Sequence, residues 1–273
     1  MKHAEEILTS STVAASVVAE ALRDAHKNKK AIDPIAPMID EAPEAAYAVQ
    51  EENTRYWIES GRRLSGRKIG LTSKVVQTQL GVDKPDYGML FSDMEFVDGD
   101  ILPTDRLIAP KAEAEVAFVF GKDITTEMVT AVELMSAIEY CVPAIEIVDS
   151  RIRDWKINFL DTVADNASSG LYTIGTQPIA LSTIDLPRLR MRMTLDDEPV
   201  SEGLGSACLG NPLIALRWLA RTMTELGRPI LAGDVVLSGA LGPMAPILPG
   251  QRLDLEIEGL GRISNTTSAN VDQ

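Results

Sequence analysis

Three carboxylates fall in apolar stretches that read as strands. In 110–120, Pro-Lys-Ala-Glu-Ala-Glu-Val-Ala-Phe-Val-Phe, side chains alternate between faces. Ala112, Ala114, Val116, Phe118 and Phe120 therefore share one side, and Glu113 and Glu115 share the other with Ala117 and Val119. Glu146 lies in a similar run, on the face of Val142, Ala144 and Val148, with Ile145 and Ile147 opposite. Neither strand has a face that looks wet. Ionised carboxylates crowded in apolar surroundings are costly unless a positive charge joins them. A hard divalent cation, magnesium or manganese, meets that need, because it takes oxygen ligands and leaves positions for water and substrate. The competing reading puts Glu113 and Glu115 on a solvated face and pairs Glu146 with Arg151 or Arg153; spacing alone leaves the two even.

Other groups of interest are scattered. Lys68 stands in Gly66-Arg67-Lys68-Ile69-Gly70-Leu71-Thr72, where flanking glycines would let a ligand approach the backbone, unless it is an ordinary exposed lysine. Asp86 follows Pro85 in a stretch, 82–88, whose proline and glycine suit a turn, and turn chemistry alone would account for it. The small, polar run 161–170 suits a loop lining a pocket or a surface turn. The glycine turn after 235–237, around Gly239, offers backbone N–H groups to a carboxylate, or simply breaks the strand. The two histidines, His3 and His26, both lie in the N-terminal region, which sets aside Ser-His-Asp, Cys-His and His-zinc chemistry. Proton transfers must then run through Asp, Glu, Lys, Tyr or metal-bound water. Cys141 and Cys208 are far apart and read as buried thiols, with no disulfide framework or zinc site.

The elements that must position these groups follow from periodicity. Ser10-Ser11-Thr12 offers caps for a helix with Val13, Val17, Ala21 and Leu22 on one face. A second helix starts at Pro43, carries Ala46, Val49 and Trp57, and ends at Gly61. These helices form an N-terminal segment, 1–62, ahead of a main domain, 63–273. There, a strand at 64–71 leads to a short helix ending at Gly81, and Asp98-Gly99-Asp100 reads as a hairpin turn. A helix from Thr125 or Thr126 carries Val129, Val132, Met135 and Ile138 back to the Glu146 strand. Further strands fall at 171–175 and 189–195, a helix at 212–226 with Leu216, Leu219 and Met223 inward, and a closing hairpin at 253–257 and 262–266 around Gly259. The class is α+β. At 273 residues the chain can bury a sizeable core. Its net charge of −14 argues against nucleic acid and anionic membrane surfaces. With no 20-residue apolar span and no signal-peptide pattern, a cytoplasmic protein is expected.

Taken in order, Gly66-Arg67-Lys68-Ile69-Gly70-Leu71-Thr72-Ser73, Pro85-Asp86-Tyr87-Gly88, Pro110-Lys111-Ala112-Glu113-Ala114-Glu115, Pro143-Ala144-Ile145-Glu146 and the run 161–168 resemble the 2-oxopent-4-enoate (2-hydroxypenta-2,4-dienoate) hydratases. These belong to the hydratase/decarboxylase branch of the fumarylacetoacetate hydrolase superfamily. The resemblance extends from about Ala45 to the final hairpin. It implies a mixed β-sandwich roll with flanking helices and an N-terminal helical lobe, assembled as a homo-oligomer of fivefold or tenfold order. It also implies magnesium or manganese held by Glu113, Glu115 and Glu146, with Asp149 outside the ligand set. The implied reaction adds water to 2-hydroxypenta-2,4-dienoate, giving 4-hydroxy-2-oxopentanoate, in meta-cleavage degradation of aromatic compounds. The metal chelates the substrate's carboxylate and 2-oxygen, Lys68 stabilises the enolate and attracts the carboxylate, and Asp86 is the candidate proton shuttle. Thr72, Ser168 and the backbone near Gly239 hold the chelated end. The nearest rival is the sister decarboxylase acting on 2-oxo-3-hexenedioate (4-oxalocrotonate), whose members carry an apolar residue where Asp86 stands. A non-catalytic acidic metal-binding protein is the second alternative.

Overall fold

The structure, a computed structural model, describes residues 2–269, with side chains for 15–78 and 81–269. Two helices open the chain, α1 (Lys2–Asn28) and α2 (Pro43–Glu59). Pro43 occupies the first turn of α2, where its missing N–H costs nothing, and Gly61 at φ 97° turns the chain away. α1 runs straight through Ser10-Ser11-Thr12, which therefore do not cap it; no glycine or proline interrupts residues 2–28. The side chains of His3 and Val13 lie outside the described residues. Val18, Ala19 and Leu22 are the buried face of α1, and Val17, expected inward, is exposed.

The remaining elements are β1 (Leu64–Gly70), α3 (Lys74–Leu80), β2 (Asp86–Phe91), β3 (Glu95–Val97), β4 (Ile101–Leu102), β5 (Lys111–Phe120), α4 (Ala131–Ala137), β6 (Ile138–Val148), α5 (Phe159–Ala164) and β7 (Ser169–Ile174). After them come β8 (Arg190–Leu195), β9 (Glu198–Leu204), α6 (Pro212–Glu225), β10 (Val235–Leu237), β11 (Ala245–Pro246), β12 (Arg252–Ile257) and β13 (Gly261–Thr267). One mixed sheet runs β2-β1-β10-β5-β6-β7-β3, with β11 also on β5; the second runs β4-β13-β12-β8-β9. Apolar residues of both sheets and of α6 merge in one core. The first sheet curls so that β7 approaches β1: the Tyr172 hydroxyl lies 3.2 Å from Ser65 Oγ. The expected α+β roll with mixed sheets is what forms.

Several local expectations fail for identifiable reasons. Asp98-Gly99-Asp100 joins β3 to β4, which lie in different sheets, so it is a crossing and not a hairpin. The helix expected from Thr125 or Thr126 starts only at Ala131, where Thr130 and Glu133 form a reciprocal capping box. Its buried residues are Leu134 and Ala137, while Val132 and Met135 are exposed and Ile138 already belongs to β6. The small, polar run 161–170 is no open loop; it contributes most of α5 and is largely buried.

α5 matters because it joins the two regions. Val18, Ala19 and Leu22 of α1 and Ala46 and Val49 of α2 form a second apolar cluster with Ile152, Phe159, Val163 and Ala164. The Asp161 carboxylate accepts hydrogen bonds from the backbone N–H groups of Ile35 and Ala36 at 2.8 and 2.9 Å. The N-terminal helices are thus seated on the segment that carries the run 161–168.

Candidate active site

β5 and β6 pair antiparallel with Glu113 directly opposite Glu146 and Glu115 opposite Ala144. Residues in register share a face, so strand pairing alone brings three carboxylates together. One oxygen from each of Glu113, Glu115 and Glu146 lies within 4.8 Å of the others. Glu115 and Glu146 are fully buried, and Glu113 is half-buried.

Lys68 reaches this group through β10. The register Lys68–Leu237–Ala117 across β1, β10 and β5 puts the lysine on the face of Glu113 and Glu115. Its Nζ lies 3.1 Å from Glu146 Oε2, an ion-pair contact without hydrogen-bond alignment. Glu146 thus pairs with Lys68 and with neither arginine suggested above; Arg151 instead clamps Asp165, and Arg153 pairs with Asp33 at 3.1 Å. Asp86 opens β2 in register with Gly70, two residues from Lys68 on the same face, and is only 1% exposed. It is a strand residue and not part of the turn. The flanking glycines serve neighbours rather than a ligand: a Cβ on Gly66 would overlap the Val235 carbonyl, and one on Gly70 would overlap Asp86 Oδ1.

The three residues expected to hold the chelated end have the following neighbours within the protein. Gly239, at φ 96°, donates its N–H to Glu115 Oε2 at 2.7 Å, so as placed it orients a carboxylate of the cluster. Thr72 packs against Gly239 so closely that any side chain there would overlap its hydroxyl. Ser168 ends a run of three left-handed residues, Asn166, Ala167 and Ser168, and its hydroxyl lies 3.3 Å from Thr162 Oγ1. That turn is tied to β2 by Asn166, which accepts from Met89 N at 2.7 Å and donates to Met89 O at 2.9 Å. Asp149 accepts hydrogen bonds from the N–H groups of Ile108 and Ala109. Sequence reasoning did not find the Asn166 clamp; an asparagine in a polar run carries no sign of which strand it will meet.

Burial dominates the electrostatics. It pushes the Glu115 carboxyl well above its usual range, with Glu146 and Glu113 adding to the effect, and lifts Glu146 to about 7 against the pull of Lys68. Asp86 rises to about 6 for the same reason. Burial alone would lower Lys68, but Glu146, Glu113, Asp86 and Glu115 outweigh it and hold the ammonium above its ordinary value. Lys68 faces four carboxylates, and among the described residues Glu115 Oε1 and both oxygens of Glu146 have no hydrogen-bond partner. Buried carboxylate oxygens without donors are the donor set of a hard divalent cation, so these residues fit one.

The chain is similar to several known proteins. The family described as fumarylacetoacetate (FAA) hydrolase C-terminal matches residues 75–268, a span that contains Asp86 and all three glutamates. The chain belongs to the fumarylacetoacetate hydrolase family. Within that family it is 54% identical to 2-keto-4-pentenoate hydratase 1 of Dechloromonas aromatica strain RCB, over 93% of this chain and 97% of the relative. It is 50% identical to 2-keto-4-pentenoate hydratase of Paraburkholderia xenovorans strain LB400, over 92% and 95%. Among solved structures, 4-oxalocrotonate decarboxylase from Pseudomonas putida G7, complexed with magnesium and adipate, superposes with a TM-score of 0.88. The two share 32% identity over 93% of this chain and 97% of that one.

Proposed function

We propose that this member of the fumarylacetoacetate hydrolase family is a hydro-lyase that adds water to 2-hydroxypenta-2,4-dienoate (2-keto-4-pentenoate), giving 4-hydroxy-2-oxopentanoate. The observation that carries the reading is Asp86: a buried carboxyl, raised to about 6, on the same face as Lys68 and the three glutamates. Relatives at 50–54% identity bear the hydratase name. Glu113, Glu115 and Glu146 would hold magnesium or manganese. When bound, such an ion supplies positive charge that makes the 2-oxo group of a chelating substrate a better electron sink.

The chain's own groups account for the proton traffic. Asp86 receives the proton of the 2-hydroxyl and returns one to C5, leaving a 2-oxo-3-enoate whose C4 is electrophilic. A second transfer takes a proton from the attacking water and delivers it to C3, which closes the balance. A carboxyl with a pKa near 6 can both accept and donate at neutral pH. Lys68, kept charged by its carboxylate neighbours, stabilises the enolate oxygen that develops. Thr72 and Gly239 hold Glu115 in place, and Ser168 is the hydroxyl offered to the chelated end.

In the same reading residues 1–62 are a helical segment packed on a catalytic roll of 63–273, and the protein is a cytoplasmic homo-oligomer, pentamer or decamer. Among the described residues no helix is long and apolar enough to cross a membrane. Light scattering tests the assembly. The activity is tested by following the dienol chromophore and identifying the product by mass. Asp86→Asn keeps size and removes the base, so hydration should fall about 100-fold or more, while oxalate still binds the metal-loaded protein. Near-normal hydration by this variant would remove Asp86 from the role. Carbon dioxide release from 2-oxo-3-hexenedioate, with no hydration of the pentadienoate, would overturn the assignment in favour of the decarboxylase.

A further inference from the structure

Lys111 begins β5 two residues before Glu113 and four before Glu115, so strand alternation places all three on one face. Lys111 and Glu113 are half-buried and Glu115 is fully buried, so the lysine stands at the solvent end of the carboxylate row. Its Nζ lies 4.1 Å from the centre of the Trp155 ring. That indole is itself fixed, donating its N–H to the Ala109 carbonyl at 2.9 Å. Asp154 and Trp155 both adopt left-handed backbone (φ 56° and 55°), a conformation that non-glycine residues hold only where their surroundings impose it. Among the described residues Lys111 Nζ makes no ion pair and no hydrogen bond, whereas Lys68 is already engaged by Glu146.

We propose that Lys111, carried on the face of Trp155, is the cation that receives the substrate's C1 carboxylate at the mouth of the glutamate cluster. The proposal rests on the hydratase reading for the identity of the substrate, though not for the chemistry of the contact. An anionic 2-oxoacid approaching a chain of net charge −14 meets a row of carboxylates on this face of β5, and an ammonium that has no ion-pair partner among the described residues reverses the local sign there. Resting the ammonium on an indole face keeps its charge and position while leaving N–H directions free for a ligand. Trp155 is then a positioning residue, acting through Lys111.

The same charge that attracts an anion opposes a divalent cation at Glu113, so the two affinities should respond in opposite directions. Lys111→Met keeps the apolar stem over the indole and removes the charge. It should raise KM for 2-hydroxypenta-2,4-dienoate about tenfold, with kcat changed less than about threefold, and weaken oxalate binding to the manganese-loaded protein by a similar factor. Its affinity for manganese alone, measured by calorimetry, should be unchanged or tighter. Lys111→Arg should restore most of the loss, and Trp155→Leu should reproduce part of it with Lys111 intact. Unaltered KM and oxalate affinity in Lys111→Met would overturn the proposal. So would a loss confined to the dicarboxylate 2-oxo-3-hexenedioate, since that would place the lysine at the distal end. If the parent protein fails to hydrate the dienoate, the hydratase reading fails, while a weakened oxalate affinity in Lys111→Met still supports the lysine's role.

Discussion

At the scale of single residues, the site is organised by what its glycines leave out. Gly70 is opposite Asp86, and the carboxylate oxygen fills the space a side chain would take. Gly70→Ala should therefore push Asp86 off its position while leaving β1 paired with β10. The expected result is a kcat loss on the order of 10–100-fold, the scale of misplacing a catalytic group by about 1 Å, with little change in manganese affinity. Kinetics and calorimetry on one preparation check this; normal turnover would show that Asp86 tolerates displacement. Gly66 looks equivalent in the sequence but faces the Val235 carbonyl, so its role is strand packing. Two glycines around one lysine suggested ligand access, yet their use depends on which strand each one meets.

At the scale of elements, the register of β5 with β6 produces the carboxylate cluster, and the turn after α5 anchors β2. Asn166 spends both ends of its amide on Met89, three residues beyond Asp86, and does so from a left-handed backbone. Asn166→Ala removes both hydrogen bonds and places a Cβ residue with no side-chain compensation in that conformation. A stability loss of about 1–3 kcal/mol is expected, read from denaturant unfolding. Asn166→Gly, which relieves the backbone, should lose less. Equal losses would mean that backbone conformation contributes nothing here. α5 itself shows why composition misled: Asn158 and Asp161 cap it reciprocally, and its small residues pack beneath α1 and α2. A run poor in large side chains resembled a loop because its packing partners lie more than a hundred residues upstream.

At the scale of the whole molecule, burying several carboxylates couples folding to pH and to metal. Glu146 and Asp86 titrate near 7 and 6 in the folded protein, against ordinary values of 4.5 and 3.8. As pH falls from about 8 to about 5, the folded state takes up protons that the unfolded chain does not yet bind, which stabilises the folded state. The metal-free protein should therefore melt at a higher temperature near pH 5 than near pH 8, since the destabilising charge is fully present only above these folded values. Manganese should raise Tm most at the higher pH and flatten or reverse the trend. A metal-free Tm that falls steadily as pH drops from about 8 to about 5 would show that these groups are not buried as carboxylates.

The sequence by itself determined the elements that depend on neighbours along the chain. These include the alternation that put Glu113 and Glu115 on one face, the proline start of α2, the amphipathic α6 and the closing hairpin of β12 and β13. The ordered motifs from Gly66 to Ser168 carried the family as well. Tertiary structure alone decided which carboxylate faces which, that Lys68 joins Glu146 through β10, that Asp86 begins a buried strand, and that the Gly239 N–H serves Glu115. It also decided that Lys111 rests on the ring of Trp155, with no ion-pair partner among the described residues. Local propensity and periodicity act over a few residues, whereas the site's charges are brought together by register across strands up to about 170 residues apart in the chain, which no local pattern encodes.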